Sequence, residues 1–541
     1  MAFSATMKFF VISVALQLPS IRSVFWDWSP ILRNETPVKE SADSTISSPR
    51  TTKPMIIPLR RETVPVKRKG KVVSFKTSYS GMISVGSPAQ MFRVVFDTGS
   101  GHMVLPAVEC GSESCLVHKR YDKRLSSSAV AINQDGNEAN SGMIDRVTIS
   151  YGTGTIKGEF VRESVCLSHA IDGDASLADA DRTWEHRPCI PLQTVMAIEM
   201  STLPFKHFGF DGIMGMGLSA LALNPEFSFF EQLTRSGTLD LPHFGVFLSD
   251  DEPSEIAIGG HNNERIMTSL QYTPVAKPDL GYWQVEVVAV RVGGKTMDMC
   301  RDAPCYAVMD TGTSHLGIPT PYDKQVVDML TTPAGDMLDC RLADLPELQI
   351  ELRGVNLTIY PDTYMRRLPL REDVNMSLNA TRGLELPSQS AQAAGGSDAA
   401  ATAAPGTTAN SADDTPGAPG SVKRFCRPRL MPVSMPAPLG PNLFILGEPV
   451  LHRYYTVFDW ATPSIGFAIS NSEVNRMDRT QITDRIGSLP KDVDVYLMQK
   501  SVNTTTEAAG TDTCSAKADE DSETDGFVAL QLVFHMNARV P

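Results

Sequence analysis

Two copies of one short motif carry the side chains of this chain that are best suited to acid–base chemistry. Asp97-Thr98-Gly99-Ser100 and Asp310-Thr311-Gly312-Thr313 each follow an apolar, strand-like run, which breaks at the Asp-Thr-Gly turn. A second apolar-apolar-Gly element follows each copy, at Ile213-Met214-Gly215 and at Ile445-Leu446-Gly447. The chain therefore has the pattern of a duplication, with one carboxyl group in each half.

Two abutting carboxyl groups can share one proton, and such a pair suits peptide hydrolysis without a metal or a covalent nucleophile. One carboxyl acts as the base on water while the other protonates the carbonyl oxygen. Like charges about 3 Å apart cannot both ionise, so the two apparent pKa values of the pair separate. We predict that Asp97 and Asp310 face each other across a cleft between the halves. Gly99 and Gly312 are predicted to let the two turns approach each other closely. The hydroxyl groups of Thr98 and Thr311 are predicted to hydrogen-bond across the seam between the lobes.

Short alternating strands dominate the sequence around these motifs. They recur at short intervals between Gly and Pro residues and outnumber helical patterns. The segment 385–424 differs, because it is rich in Ala, Gly, Ser, Thr, Asp and Pro and has Leu386 and Val422 as its only larger apolar residues. Such a segment buries too little surface to offset its ordering entropy. We predict an all-β architecture in two lobes with a disordered, low-complexity insertion at 385–424.

Length and charge limit the classes of function. The chain has 541 residues, which leaves room for several domains at about 150 residues each. Its formal net charge of −13 has the wrong sign for neutralising phosphates, so no nucleic-acid partner is predicted. Residues 24–76 carry a local charge of +6. This basic leader either attracts the acidic body at neutral pH or is a solvated linker.

The N-terminus has the pattern of a signal peptide. Lys8 precedes a mainly apolar run at 9–18, which is shorter than the about 20 residues of a membrane-spanning helix. The apolar run 527–534 is also too short, so we predict no integral membrane span. The chain is expected to enter the secretory pathway and to be secreted or endolysosomal/vacuolar. Glycosylation triplets are consistent with that route: Asn34, Asn356, Asn375, Asn379 and Asn503.

The nine cysteines favour disulfide bonds in an oxidising compartment. Two pairs stand only five residues apart, which favours locally closed loops. Neither has further Cys or His residues at the spacing of a zinc site. The predicted bridges are Cys110–Cys115, Cys300–Cys305, Cys166–Cys189 and Cys340–Cys426, and Cys514 is left unpaired.

The ordered set of motifs from about residue 80 to 470 resembles the pepsin and cathepsin D family of aspartic proteases. Each motif alone is weakly specific, whereas the set in this order and spacing is highly specific. The close cysteine pairs also match, and the resemblance pairs Cys340 with Cys426. The matching segments are 96–100, 149–154, 210–215, 281–284, 308–314, 445–447 and 454–459.

This resemblance implies a two-lobed pepsin-like fold and an aspartic-type endopeptidase that works at acid pH without a cofactor. It implies that Ser100 and Thr313 support the two carboxylates. It also makes Tyr151 the tyrosine of the flap, a glycine-flanked hairpin that closes over the cleft, with Gly152 and Thr153 beside it. Peptides and proteins are the implied substrates, and we expect a monomer.

The motifs and composition together divide the chain into five segments. Residues 1–23 are the signal peptide and 24–76 a basic leader or candidate propeptide. Residues 77–270 form the N-terminal lobe with the first motif and the flap. Residues 271–470 form the C-terminal lobe, which includes the insertion. Residues 471–541 are predicted to be an acidic, disordered tail.

Two features depart from the family pattern. The family usually carries a Trp seven residues after the first Asp, where its indole meets the flap tyrosine, but Val104 stands at this position. Residues 57–61 resemble the opening of a family propeptide. However, Tyr79, where the mature first strand is expected, follows only 18 residues after Arg61, whereas the usual propeptide is longer.

Two classes of function remain after this comparison. The first is an active endopeptidase, and the second is a secreted pepsin-like peptide-binding protein that has lost catalysis. A degenerate copy is expected to be damaged in an Asp-Thr-Gly turn or its supporting Ser or Thr, and both copies are intact. This favours the enzyme. No metal is predicted, because neither Asp has the further oxygen ligands that a hard cation needs.

Overall fold

β-Strands form most of the structure. It is a computed structural model that describes residues 54–68, 71–139, 144–152, 154–170, 188–371, 423–477 and 531–540. Side chains are described in these ranges except at 65–75, 371 and 531–540. The predicted signal peptide 1–23, Thr153 and residues 385–422 of the predicted insertion lie outside the described residues.

The elements follow one another along the chain as short strands with few helices between them. The first strands are β1 (Met55–Arg68), β2 (Lys71–Val85), β3 (Gln90–Asp97), β4 (Met103–Pro106), β5 (Val130–Ile132), β6 (Ile144–Tyr151), β7 (Gly154–Leu167), β8 (Cys189–Met200), β9 (Gly212–Gly215), β10 (His243–Phe247), β11 (Ser254–Ile258) and β12 (Gln271–Pro274). They are followed by β13 (Gln284–Val292), β14 (Lys295–Thr296), β15 (Cys305–Met309), β16 (Leu316–Pro319), β17 (Thr332–Pro333), β18 (Leu348–Leu352), β19 (Val355–Ile359), β20 (Leu370–Arg371), β21 (Arg424–Cys426), β22 (Leu430–Val433), β23 (Leu443–Leu446), β24 (Tyr454–Asp459), β25 (Ser464–Ile469) and β26 (Gln531–Val540). The α-helices of the described residues are α1 (Glu113–Leu116), α2 (Phe229–Arg235), α3 (Tyr322–Met329), α4 (Pro361–Tyr364), α5 (Glu448–Arg453) and α6 (Glu473–Arg476).

The described strands form three sheets. A 15-stranded sheet has the order β12-β25-β24-β10-β11-β1-β2-β3-β9-β4-β8-β7-β6-β26, with β5 on β7. An 8-stranded sheet has the order β19-β18-β13-β15-β23-β16-β22, with β14 on β13, and β17-β21-β20 form the third sheet. Strands from the first and second halves of the chain thus share the largest sheet, which joins the two lobes.

The same strand arrangement occurs once in each lobe. In the first lobe β3 pairs parallel with β9, β9 antiparallel with β4, and β4 parallel with β8. In the second lobe β15 pairs parallel with β23, β23 antiparallel with β16, and β16 parallel with β22. The predicted all-β, two-lobed pepsin-like fold is confirmed.

Burial alternates along β6, as expected for a strand with one face on the core. Val147 and Ile149 are fully buried and Tyr151 is 3% exposed, whereas the residues between them are half-buried. β6 pairs with β7 in a hairpin whose register places Tyr151 opposite Gly154. The period of two therefore turns the tyrosine at the hairpin tip inward.

The last part of the predicted basic leader supplies a strand in the middle of the shared sheet. β1 pairs antiparallel with β11 through its first five residues and with β2 through the remainder. Ile57 is fully buried in the core, and the Arg61 guanidinium lies 2.8 Å from the Asp250 carboxylate. Residues 55–68 are therefore part of the folded body, through backbone pairing, apolar burial and an ion pair.

Disulfide bonds close both short and long loops of the described chain. The bonds join the pairs that the sequence predicts: Cys110–Cys115, Cys166–Cys189, Cys300–Cys305 and Cys340–Cys426. The last bond joins residues 86 positions apart. A cross-link over such a distance stabilises mainly by restricting the unfolded chain.

Two stretches of the predicted disordered tail have regular structure. α6 lies at its start, and β26 pairs antiparallel with β6, the outer strand of the flap hairpin. The tail prediction rests on composition, which does not detect a short apolar run that completes a sheet edge. In the described part of the chain, no helix is long and apolar enough to cross a membrane.

The Ile57→Ala variant tests whether the N-terminal strand belongs to the core. We expect a loss of about 2–5 kcal/mol in the free energy of unfolding, because a fully buried aliphatic side chain is truncated. Thr63→Ala is the matched control on the same strand, because Thr63 is exposed, and it should change stability by about 0.5 kcal/mol or less. Urea denaturation measures both. Equal, small effects would contradict a structural role for β1.

Candidate active site

The two motif aspartates stand at the ends of corresponding strands. Asp97 is the last residue of β3 and Asp310 follows β15 directly, and both side chains are fully buried. Within each turn, the N–H group two residues further on donates to the carboxylate. Gly99 N–H lies 3.0 Å from Asp97 Oδ1, and Gly312 N–H lies 2.8 Å from Asp310 Oδ1. Both carboxyl groups therefore accept the same backbone hydrogen bond within their turns.

The carboxyl groups meet at the interface of the lobes. Each carboxyl group shifts the pKa of the other, so the two groups lie close together. Gly99 permits this approach, since a Cβ atom at this position would lie 2.9 Å from Asp310 Oδ1 and 3.0 Å from its Cγ. Any side chain at position 99 would push Asp310 away from Asp97.

The threonines of the two turns exchange hydrogen bonds across the seam between the lobes. Thr98 N–H donates to Thr311 Oγ1 at 3.0 Å, and Thr311 N–H donates to Thr98 Oγ1 at 3.0 Å. Each hydroxyl then donates to a carbonyl of the opposite lobe, Thr98 to Met309 at 2.8 Å and Thr311 to Phe96 at 2.6 Å. This reciprocal set fixes the distance between the turns and hence between the carboxyl groups.

The surroundings of Asp97 favour its protonated form. Burial and the neighbouring Asp310 carboxylate raise the pKa of Asp97 well above its ordinary value. The Ser100 hydroxyl and the Gly99 N–H act in the opposite direction but do not cancel the rise. Burial disfavours a charge and a second carboxylate disfavours it further, so Asp97 holds a proton to higher pH than an isolated aspartate does.

Asp310 has stronger support for a negative charge. Burial raises the pKa of Asp310 above its ordinary value, and the Thr313 hydroxyl, the Gly312 N–H and Asp97 offset this rise only in part. Thr313 Oγ1 donates to Asp310 Oδ2 at 2.5 Å. The two carboxyl groups thus differ in their surroundings, which suits a pair that carries one proton and one charge.

The predicted flap tyrosine faces the first aspartate. The charge of Asp97 contributes, after burial, to a raised pKa of the Tyr151 hydroxyl. The tyrosine ring packs edge-on against Phe205, with 5.9 Å between centroids and an interplanar angle of 81°. Gly152 lies in the turn after β6, whereas Thr153 lies outside the described residues. The tyrosine at the hairpin tip is therefore buried and lies close enough to Asp97 to be affected by its charge.

Two aromatic residues at the site were not singled out from the sequence. Tyr282 is buried, and its pKa is raised by burial and by the charges of Asp310 and Asp97. Tyr282 belongs to segment 281–284, which matches the family motif, so its place in that motif could have identified it from the sequence. Phe205 contacts Tyr151 but lies outside every matching segment. Only the three-dimensional structure identifies it.

His102, next to the first motif, has a structural contact. Its Nε2 accepts a hydrogen bond from the Leu223 N–H at 3.0 Å, and its ring packs on Phe227. The imidazole is fully buried. These contacts connect the turn after Asp97 to residues 223–227.

A second cluster of ionisable groups lies on α5 and on the loop between β10 and β11. Ligand-type atoms of Asp250, Glu448 and His452 lie within 4.8 Å of one another. However, Arg61 contacts Asp250 at 2.8 Å and Arg429 contacts Glu448 at 3.2 Å. Guanidinium groups already neutralise both carboxylates, so this donor set fits an ion-pair network and does not fit a divalent cation.

Comparison with known proteins points to one family. A family model described as eukaryotic aspartyl protease matches residues 78–377. Renin from Rattus norvegicus is 26% identical over 404 residues, which is 73% of this chain and 80% of the relative. Cathepsin E from Rattus norvegicus is 27% identical over 398 residues, which is 72% and 79%. Probable vacuolar protease A from Arthroderma benhamiae is 27% identical over 406 residues, which is 72% and 78%.

The threonine seam predicts a non-additive pair of substitutions. Thr98→Val and Thr311→Val should each lower the free energy of unfolding by about 1–3 kcal/mol, because each leaves a buried partner unpaired. The double variant should cost less than the sum, since the two threonines share their hydrogen bonds.

Thr194→Val is the matched control for this cycle. Thr194 is a buried threonine whose hydroxyl donates to the Val161 carbonyl at 2.8 Å, far along the chain from the seam. Combined with Thr311→Val, its effect should add within about 0.5 kcal/mol. Urea denaturation measures the four energies of each cycle. Additivity of the Thr98 and Thr311 effects would contradict the reciprocal seam.

The raised pKa of Asp97 predicts how stability depends on pH. The ordinary value is 3.8, so above about pH 4 the folded chain binds more protons at this site than the unfolded chain. Stability contributed by this group therefore falls as pH rises from its unfolded to its folded pKa. Asp97→Asn removes that decline, and the variant should gain stability relative to wild type as pH rises.

Denaturation at about pH 3, 5 and 7 tests this sign. Asp302→Asn is the control, because the Asp302 side chain is 89% exposed. Its difference from wild type should stay nearly constant with pH. A constant difference for Asp97→Asn as well would contradict the raised pKa.

Proposed function

The chain belongs to the eukaryotic aspartyl protease family, and we propose that it is an aspartic-type endopeptidase in which Asp97 and Asp310 activate water. The observation that supports this most strongly is the buried pair of carboxyl groups, each held by the same N–H donation within its turn. The seam of Thr98 and Thr311 keeps the two turns together. One carboxyl comes from each lobe, as a duplicated site requires.

The chemistry follows from one proton shared by two carboxyl groups. The ionised carboxylate takes a proton from water as the water oxygen bonds to the peptide carbonyl carbon. The protonated carboxyl gives its proton to the carbonyl oxygen, which forms a neutral tetrahedral diol. The pair then returns one proton to the amide nitrogen and accepts one from the diol as the C–N bond breaks. No net proton is lost, so the pair is ready for the next substrate.

The two carboxyl groups take different parts in this scheme. Asp310 accepts from Thr313 Oγ1 and Gly312 N–H, so it is better suited to be the ionised base. Asp97, whose pKa is raised further by burial and the neighbouring carboxylate, is better suited to hold the proton. Ser100 stands in the corresponding place beside Asp97 and lowers the pKa of that carboxyl group, but among the described residues its hydroxyl forms no hydrogen bond like the one from Thr313 to Asp310. The pair must keep one proton, which favours activity at acid pH.

The flap has the role of covering the reacting centre. Tyr151, Gly152 and Thr153 close over bound peptide, exclude bulk water and contact the substrate backbone. Tyr151 is positioned for this task, since it is buried and feels the charge of Asp97. Residues 77–270 and 271–470 are then the two lobes that form the substrate cleft.

The signal-peptide pattern at 1–23 supports our proposal of a secretory route, with the enzyme either secreted or in an acidic endolysosomal or vacuolar compartment. Such compartments match a carboxyl pair that needs acid conditions. We propose peptide and protein substrates, a monomeric enzyme and no nucleic-acid partner, given the net charge of −13. The alternative is a peptide-binding protein without catalysis, and the intact support of both carboxyl groups favours the enzyme over it.

Substitution of either aspartate tests the proposal. Asp97→Asn and Asp310→Asn should each lower turnover of a casein or peptide substrate by at least about 10³-fold at acid pH, because the shared proton can no longer be exchanged. A statine-type inhibitor, whose hydroxyl replaces the attacked water, should block the wild type. A chelator should leave activity unchanged.

Asp302→Asn is again the control and should retain wild-type turnover, because its carboxylate is exposed and outside the site. Thermal melts must show that the variants remain folded. If folded wild type and Asp97→Asn hydrolyse peptides equally slowly, the protein is not an aspartic endopeptidase. Peptide binding without turnover would then support the alternative.

A further inference from the structure

Members of the family that this chain resembles usually carry a Trp beside the flap tyrosine, and this chain does not. Val104 occupies that position, and it is 1% exposed within the sheet. It pairs with Val195 of β8 and with Ile213 of β9. The Tyr151 hydroxyl has no hydrogen-bond partner among the described residues. The flap tyrosine therefore needs another group to fix its position.

Phe205 supplies a ring at this place. It lies in the one-turn 3₁₀-helix Phe205–His207 and is 1% exposed. Its ring stands almost perpendicular to the Tyr151 ring at 5.9 Å, which is the favoured edge-to-face arrangement of two aromatic rings. The contact joins the tip of the flap to a segment outside the hairpin.

The segment 201–205 also holds the backbone of the flap. Thr155 N–H donates to Ser201 Oγ at 3.0 Å, and Ser201 N–H donates to the Thr155 carbonyl at 3.0 Å. The Ser201 hydroxyl in turn donates to the Leu203 carbonyl at 2.7 Å. A single serine thus connects the start of β7 to the turn that leads to Phe205.

The approach of the two segments leaves no room for a side chain. A Cβ atom at Gly154 would lie 2.7 Å from the Leu203 carbonyl oxygen and 2.7 Å from Ser201 Oγ. The second glycine of the flap is therefore required by packing against 201–205. Its role is separate from turn flexibility, because one of the clashing atoms is the Leu203 backbone oxygen, which cannot move easily.

Residues of another loop hold the segment 201–205 in place. Ser114, in the loop closed by the Cys110–Cys115 disulfide, donates from its hydroxyl to the Ser201 carbonyl at 2.7 Å. His118 Nε2 lies 2.8 Å from the Phe205 carbonyl oxygen. The segment therefore rests on a covalently closed loop and provides a rigid support for the hairpin.

We propose that Phe205 is a positioning residue that replaces the missing indole and holds Tyr151 over the carboxyl pair. The proposal rests on the proposed function for its kinetic consequence, but the physical contact is independent of catalysis. Loss of the ring frees the tyrosine and lets the hairpin open more often. Closed complexes with substrate become less favourable, so KM rises more than kcat falls.

Hydrogen exchange and kinetics of Phe205→Leu test this role. The substitution keeps an apolar side chain but removes the aromatic edge. Amide exchange in residues 148–157 should become about 3- to 10-fold faster, as expected from the loss of one aromatic pair, while exchange in β8 stays as in wild type. KM for a peptide substrate should rise by a similar factor.

Phe208→Leu is the matched control. Phe208 lies three residues further on, is 3% exposed and stacks on Phe210 at 5.1 Å. It should lower the melting temperature as much as Phe205→Leu does without faster exchange in the flap. Ser201→Ala provides a second variant that leaves the Phe205 ring in place, and it should speed exchange at the start of β7.

The outcomes separate this inference from the proposed function. If wild type is an active protease and Phe205→Leu changes neither flap exchange nor KM, Phe205 does not position the flap. If wild type and Asp97→Asn are equally inactive, the proposed function fails, and faster flap exchange in Phe205→Leu still supports the contact. Equal acceleration in Phe205→Leu and Phe208→Leu would indicate general loosening and overturn the specific role.

Discussion

Two carboxyl groups of like charge have to be held together in a buried site, and the rest of the structure depends on this constraint. At an effective dielectric constant of about 20, two full charges about 3 Å apart repel by roughly 5 kcal/mol. Each seam hydrogen bond contributes about 0.5–1.5 kcal/mol, so the reciprocal bonds of Thr98 and Thr311 alone offset a doubly ionised pair only in part. The shared proton removes most of this repulsion. The raised pKa values of the carboxyl groups and the hydrogen bonds between Thr98 and Thr311 therefore serve the same purpose, which is to hold the two carboxyl groups together.

The duplication supplies the rigidity that this arrangement needs. Each aspartate is placed by a strand paired parallel with a second strand of its own lobe, β3 with β9 and β15 with β23. Each of those second strands ends beside the Asp-Thr-Gly turn of its lobe, and Gly215 and Gly447 allow it to pack on backbone atoms there. The copies differ at one support, where a Thr313 hydroxyl bonds Asp310 at 2.5 Å. A symmetric frame with one unequal hydrogen bond lets one carboxyl carry the charge and the other the proton.

The sequence predicted the parts of this structure that are local in character. Alternating apolar residues indicate strands, and an Asp-Thr-Gly turn at the end of an apolar run indicates where a carboxyl group leaves a sheet. Together with the order of the motifs, these signals were enough for the all-β two-lobed fold. The position of β1 was not predicted, because eleven basic residues in 24–76 suggested a leader. Charge counts do not reveal that Ile57 is buried or that Arg61 has Asp250 as a partner.

Phe205 illustrates a second limit of sequence patterns. An aromatic residue in a loop that follows β8 is indistinguishable in sequence from the neighbouring Phe208 and Phe210, which pack on each other. Its relation to Tyr151 depends on long-range contacts, namely the bonds between Ser201 and Thr155 and the close approach at Gly154. Each of these contacts spans about 45 residues or more of chain. A missing indole is visible in the sequence, whereas its replacement arises from packing between segments whose separation in sequence gives no period or motif.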